Sequence, residues 1–451
     1  MKIHLIAIGG SAMHNLAIAL QDKEYQITGS DDEIFEPSRS RLQKKGLLPE
    51  ELGWFPEKIT YKLDAVIIGM HAREDNTELQ KARELKLKIY SYPEYLYEQT
   101  KGKKRVVIAG SHGKTTITSM IMHVLKQCNK EFDYMVGASV EGFDTMVSLS
   151  ESSPFAIFEG DEYLSSPLDK RPKFHLYKPH IAVISGIAWD HINVFPTFEI
   201  YKEQFLTFAN LIETNGTLYY YQGDEVLKEV VNKSMNSISK LSYTEHNHVV
   251  RENITYLINQ FGLFKINVFG KHNLQNISAA KLVCSKIGVG EQEFYKAIST
   301  FKGAAKRMQV LRTNVNSTIF LDFAHAPSKV KATVNALREQ YPIRKLIACL
   351  ELHTFSSLND KFLDQYRGTM EGIFSAIVYY NPETFRHKQL PEISSDRIKA
   401  AFNNPNLTVF TSEKELMNHL RTFKFDNTNL LLMSSGNFGG IDLSSFVKEL
   451  I

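Results

Sequence analysis

Cysteine is scarce: three in 451 residues, at Cys128, Cys284 and Cys349, with no CxxC spacing. That excludes a disulfide framework and a thiolate zinc site, and it fits a reducing compartment. A charge excess is missing too. The 53 Lys and Arg nearly balance 50 Asp and Glu, a net +3, so composition calls for neither nucleic acid nor a membrane surface as partner. Long apolar runs are also lacking. The first, Ile3 to Ile8, is far too short for a signal-peptide core or a membrane span, and Gly9 and Gly10 interrupt it; the expectation is a cytoplasmic protein. There are no repeats, low-complexity tracts or heptads. With 43 % hydrophobic and 23 % charged residues the composition is globular and soluble. At about 150 residues per domain, the length suggests three domains.

What is present is organised around Gly110-Ser111-His112-Gly113-Lys114-Thr115-Thr116. The apolar run Val106 to Ala109 before it reads as a buried strand, and Thr116 to Lys126 after it keeps helical spacing. Strand, glycine turn and helix start are the context that phosphate binding requires. Backbone N–H groups close on the anion, Lys114 adds a positive charge and the Thr115 hydroxyl can hold Mg²⁺. The string is shorter than the full P-loop pattern, whose first glycine would fall on Ile108.

The first hundred residues alternate strand and helix: a strand at 3–8, the turn Gly9-Gly10-Ser11, a helix over 12–20, and a strand from Tyr25 that leads to Asp31. An acidic residue about 20 positions past a glycine turn can meet a sugar hydroxyl. A dinucleotide fingerprint would need glycine at Ala7 and near His14, so the turn either holds another nucleotide's phosphate or is structural. Further strands are expected at 64–69 and 87–91, with a helix at 74–85. The polar link 100–104 marks a boundary, giving domains 1–102, 103–308 and 309–451. In the second, strand 154–158 delivers Glu159 and strand 181–185 leads to Asp190 and His191, possible Mg²⁺ ligands or ordinary loop residues. His272, Asn273 and Asn276, ahead of a helix expected at 277–287, suit an adenine edge or a helix cap. Lys306 and Arg307 could clamp phosphate or form a basic linker. From Ser317 the alternation resumes with strands at 319–323, 346–350, 376–380 and 430–433 and helices at 327–338 and 360–370; Asp322 and His325 end the first of these strands.

GSHGKTT, EGDEY around Glu159, Asp190-His191, GKHNLQN, FKGAAKR and DFAHAP occur in the order and at about the spacing of the Mur ligases, ATP-dependent amide-forming enzymes of peptidoglycan synthesis. The chain resembles that family along nearly its whole length. Asp169 to Phe174, with Tyr177 and Pro179, and Met433 to Ile441 are most similar to the branch that joins L-alanyl-γ-D-glutamyl-meso-diaminopimelate to UDP-N-acetylmuramate; a sibling branch adds L-alanine. The resemblance implies an α/β chain of three domains, Rossmann-like at both ends and P-loop ATPase-like in the middle. It also implies ATP with Mg²⁺, a monomer or weak dimer, and no nucleic acid or membrane partner. By the family pattern Lys114 meets the β- and γ-phosphates, and Thr115, Glu159 and His191 hold Mg²⁺. His272, Asn273 and Asn276 lie at adenine, Arg307 near the transferred phosphoryl, Asp322 at the ribose, and His325 near the γ-phosphate or the acceptor. Gly9, Gly10 and Ser11 would hold the sugar nucleotide's phosphate and Asp31 its uridine; Lys170, Arg171 and Lys173 are candidates to pair with the acceptor's carboxylates or form a solvated basic loop.

The family pattern also differs here in places: Gly186 and Ala188 stand where Asn and Glu are usual, Ala326 replaces a second histidine, and Phe205 stands where some members carry a modified lysine. The implied chemistry is activation of the lactyl carboxylate by ATP as an acyl phosphate, then attack by the amine. A non-catalytic nucleotide-binding protein is the rival of a different class, and a dehydrogenase a distant one.

Overall fold

The computed structural model describes residues 1–70 and 72–451. Contacts divide the chain into two compact units: Met1–Ile187 with Lys202–Thr244 and Ala279–Glu291, and Ala188–Tyr201 with Glu245–Ser278 and Gln292–Ile451. The fold is α/β with three domains built on mostly parallel sheets. The segments 188–201 and 245–278, which the sequence places in the middle region, cluster with the C-terminal residues.

The first unit contains two sheets. Strands β1 (Lys2–Ile6), β2 (Gln26–Ser30), β3 (Ala65–Ile68) and β4 (Ile89–Ser91) form a parallel sheet in the order β2-β1-β3-β4. Next come β5 (Lys104–Ala109), β6 (Asp133–Met135), β7 (Val147–Ser148), β8 (Phe155–Glu159), β9 (Ile181–Ile184), β10 (Thr217–Tyr221) and β11 (Ser239–Tyr243), ordered β11-β10-β9-β5-β8-β6-β7. Only β7 runs antiparallel to its neighbour. The core stretches of β5, β8 and β9 are near-continuous apolar runs because helices cover both faces of such a sheet.

In the second unit β12 (His248–Arg251), β13 (Ile254–Asn259) and β14 (Gly262–Ile266) make a small antiparallel sheet. The last sheet comprises β15 (Gln309–Thr313), β16 (Thr318–Asp322), β17 (Lys345–Glu351), β18 (Ser375–Tyr379), β19 (Leu407–Phe410) and β20 (Thr428–Met433), in the order β15-β16-β20-β17-β18-β19. All its pairings are parallel except that of β15. Among the described residues, no helix is long and apolar enough to cross a membrane.

Two elements depart from the sequence reading. The helix expected from Ile277 begins at Lys271, so His272, Asn273 and Asn276 occupy its first turns. Local polarity misled there: the Asn273 amide donates to Phe269 O at 2.8 Å, which binds the polar run to the residue before the turn. The helix expected over 360–370 shrinks to Asp360–Leu363 and a 3₁₀ turn, Asp364–Tyr366. The buried Tyr366 hydroxyl is committed to His325 O.

One buried polar cluster fixes the first sheet. His4 on β1 and Glu78 on the helix Thr77–Glu84 are both fully buried, 3.2 Å apart, and Glu78 also accepts from Phe55 N–H at 2.8 Å. Burial pushes the Glu78 carboxyl up, but the bonds from His4 and Phe55 bring it below its ordinary value. Its contribution is therefore complete above the ordinary carboxylate pKa, about 4.3, and is lost as pH falls through the lower folded value. Glu78→Ala should cost about 3–5 kcal/mol at neutral pH, since it leaves buried partners unpaired. In urea unfolding, the gap from wild type should narrow below about pH 4; a gap that widens there would contradict this.

Candidate active site

The glycine turn after β5 is held by its neighbour strand. Ser185, just past β9, donates its N–H to Ala109 O at 3.1 Å and its hydroxyl to His112 O, while Ser111 N–H donates to Gly186 O at 3.0 Å. Gly110 has φ +123°, and a Cβ there would lie 2.2 Å from Ser185 Oγ, so only glycine fits. The helix Lys114–Gln127 starts from Gly113, and among the described residues no side chain caps it. Its first-turn N–H groups therefore point out of the turn, the arrangement that attracts anions.

Charge is concentrated beside this turn. β8 pairs with β5 so that Glu159 stands opposite Ile108, two residues before Gly110 opens the turn. The Glu159 carboxylate accepts from the Thr115 hydroxyl at 2.8 Å and from Gly137 N–H at 2.7 Å. Burial pushes it above the usual range despite those bonds. Lys114 Nζ donates to Gly110 O at 2.9 Å and to Glu162 at 2.6 Å. Burial pulls the ammonium down, and Glu162, Asp161 and Glu159 more than offset it. The structure thus brings together Lys114, Thr115, Glu159 and a carboxylate the sequence reading quoted but gave no role, Glu162.

At the first turn Asp31 faces the chain itself: its carboxylate accepts from Gly9 N–H at 2.7 Å. Burial pushes it up to about 6, the Gly9 bond opposes this, and Asp32 adds to it. Gly10 begins the helix Ser11–Asp22, again without a side-chain cap among the described residues. Arg171 is exposed and already paired, at 2.6 Å with Asp169 and 3.3 Å with Glu94.

The second unit assembles another group. Asp190 accepts from His191 N–H at 2.8 Å and lies 3.3 Å from Lys329 Nζ. Burial pushes the Asp190 carboxyl up, but Lys329, His191 and His325 hold it far below the usual carboxylate range. His325 Nδ1 lies 2.9 Å from Phe323 O. Burial, then the Lys329 charge, drives its imidazole down to about 3, against the pull of Asp190. The ring is neutral at pH 7, and an Nδ1–H donated to Phe323 O leaves Nε2 as an acceptor. Arg307 stacks over the Phe323 ring at 4.5 Å. Asp322 is spent on the backbone, accepting from Met308 N–H at 2.7 Å and Ala324 N–H at 2.8 Å. Desolvation lowers the half-buried His272 imidazole, with Asp322 opposing; the Asn276 amide is 3.5 Å from Asn273 Oδ1. Lys329, which sequence reasoning missed, sits in the first turn of the helix Pro327–Gln340. Its proximity to DFAHAP was the available signal; its pairing with a residue 139 positions away was not.

The segment after β20 is also built on a carboxylate. Glu351, at the end of β17, accepts from the Ser434 hydroxyl and from Phe438 N–H at 2.9 Å, so the 434–440 run wraps a buried acid.

Three family models match: "Mur ligase family, catalytic domain" over residues 2–104, "Mur ligase middle domain" over 108–284 and "Mur ligase, glutamate ligase domain" over 306–436. A UDP-N-acetylmuramate–L-alanine ligase of Sulfurihydrogenibium sp. is 31 % identical, the alignment covering 80 % of this chain and 78 % of that one. The UDP-N-acetylmuramate–L-alanyl-γ-D-glutamyl-meso-2,6-diaminoheptandioate ligase of Haemophilus influenzae is 27 % identical, over 97 % of each. The fold is similar to a murein peptide ligase from Psychrobacter arcticus (TM-score 0.65, 22 % identity, 100 % and 98 % covered) and to a UDP-N-acetylmuramate–alanine ligase from Thermotoga maritima (TM-score 0.71, 19 % identity, 99 % and 98 % covered). With the phosphate turn, the carboxylates beside it and the ordered motifs all in place, the chain belongs to the Mur ligase family of ATP-dependent, amide-forming ligases.

Proposed function

We propose that this ligase joins the lactyl carboxylate of UDP-N-acetylmuramate to the amine of L-alanyl-γ-D-glutamyl-meso-diaminopimelate, with residues 1–102 binding the sugar nucleotide, 103–308 ATP and 309–451 the acceptor. The observation that carries the ATP half is the half-buried Lys114 between the phosphate turn and Glu162. A polyphosphate entering the turn would draw Lys114 toward its oxygens.

Mg²⁺ fits the donors beside the phosphate turn. Thr115 and Glu159 offer oxygen, the ligand type magnesium prefers, and a cation would relieve the burial that pushes Glu159 up. Among the described residues no group of three or more His, Cys, Asp or Glu could hold a metal, so phosphate oxygens and water would fill most of the shell, as is usual for Mg²⁺. When bound, the ion would neutralise developing charge on the phosphoryl group. His191 is assigned to the same ion by family pattern.

The chain's own groups then do the rest. Lys114 and Arg307 stabilise the phosphoryl in flight, and the neutral Nε2 of His325 accepts the proton the amine must lose. A pKa near 3 makes a weak base, but an anion beside Lys329 and Arg307 offsets their charge and raises it. Peptide over L-alanine is supported by Asp169 to Phe174, by the 434–440 segment and by the near full-length match to the Haemophilus influenzae enzyme. The L-alanine reading is favoured by the 31 % identical relative.

Three outcomes are expected. Lys114→Ala should lower ATP turnover by at least about 100-fold, and because it also strands Glu162, Lys114→Ala/Glu162→Gln should regain stability without regaining turnover. Recovery of turnover in the double variant would remove Lys114 from the chemistry. Lys329→Met should raise the His325 pKa, read by imidazole NMR, because the repelling cation is gone while Asp190 stays; a fall would contradict the assignment. With UDP-N-acetylmuramate and ATP, phosphate release should be far faster with the tripeptide than with L-alanine, at least about 100-fold in kcat/KM. Equal or faster release with L-alanine would move the enzyme to that reading.

A further inference from the structure

A cavity of about 610 Å³ lies in the second unit between the end of the helix Pro327–Gln340, the 341–345 connection and the 372–374 turn. It sits where β17 and β18 begin. Asp322 and His325 lie at and just past the end of β16 in the same sheet, and seven residues of β17 put about 20 Å between the two ends.

Three cations line it: Arg338, Arg344 and Lys345. None of them has a carboxylate partner among the described residues. Arg338 donates to Glu371 O at 3.4 Å; Arg344 donates to Thr318 Oγ1 at 3.3 Å and Asn429 Oδ1 at 3.2 Å. Arg344 stacks 4.8 Å over Tyr341, and Lys345 Nζ sits 4.7 Å over Phe374. The one lining acid, Glu339, is turned to Lys271, 3.8 Å away. Gly372 has φ +66°, and a Cβ there would come within 2.8 Å of the Arg338 guanidinium, so glycine leaves that guanidinium room against the backbone.

An ordinary helix end explains one cation, since basic side chains offset its exposed carbonyls. It does not explain three converging on a cavity sized for a small ligand, two of them set on aromatic rings. Guanidinium groups bonded only to neutral acceptors keep their full charge and spare donors for phosphate.

We propose that this cavity binds a phosphate-bearing small molecule, making a second anion site separate from the nucleotide machinery. The cations are at the surface, so binding should be modest and weaken with salt.

The probe is inorganic pyrophosphate, titrated calorimetrically into the full chain at about 50 mM ionic strength. The expected result is a site that persists in Lys114→Ala/Glu162→Gln and weakens at least about tenfold in Arg338→Gln/Lys345→Gln, with ATP turnover of the latter unchanged. Lys345→Glu alone, a change at an exposed residue set on Phe374, should weaken it in the same direction and serves if the pair variant is unstable. Pyrophosphate binding that vanishes with the Lys114 variant, that survives the Arg338 and Lys345 changes within about twofold, or that is undetectable in wild type at about 10 mM would overturn the proposal.

Discussion

Setting the half-buried Lys114 beside the buried Glu159 and Glu162 is the costly act on which the first unit depends. Charges taken out of water are tolerated when each is bonded and paired, and here each one is: Lys114 by Glu162 and Gly110 O, Glu159 by Thr115 and Gly137. The parallel order β9-β5-β8 sets Glu159 opposite Ile108, and Ser185 clamps the turn from the other side. A slip of β8 by one residue would turn Glu159 to the other face of the sheet and leave the Thr115 hydroxyl without it.

The second unit solves a different problem, keeping an imidazole neutral among charges. Lys329 compensates Asp190 and repels a proton from His325 with the same ammonium. A base that stays unprotonated until an anion arrives is suited to a reaction in which the amine must lose its proton only after the carboxylate has been activated.

Much of this was legible in the sequence because it is local. Apolar runs of four to six residues ending in glycine or acid gave β5, β8, β9 and β16, and Pro327 marked its helix to within two residues of the observed end. What was not legible is long-range. Asp31 and Asp322, placed at ligand by motif, accept instead from backbone N–H groups well removed along the chain, Gly9 and Met308. Arg171 looks free in sequence and is held by Asp169 and Glu94. The antiparallel strands β12 to β14 carry exposed apolar residues such as Val250, Ile258 and Leu263 and polar ones between, a pattern too weak to separate from loop.

The central claim is that this fold activates a carboxylate by phosphoryl transfer before the amine attacks. The most direct measurement supplies UDP-N-acetylmuramate with a heavy oxygen isotope in its lactyl carboxylate, together with ATP and the tripeptide, and analyses the released phosphate by mass spectrometry. Passage through an acyl phosphate predicts one heavy oxygen in each phosphate formed. Phosphate free of the label, with amide product accumulating, would contradict the account.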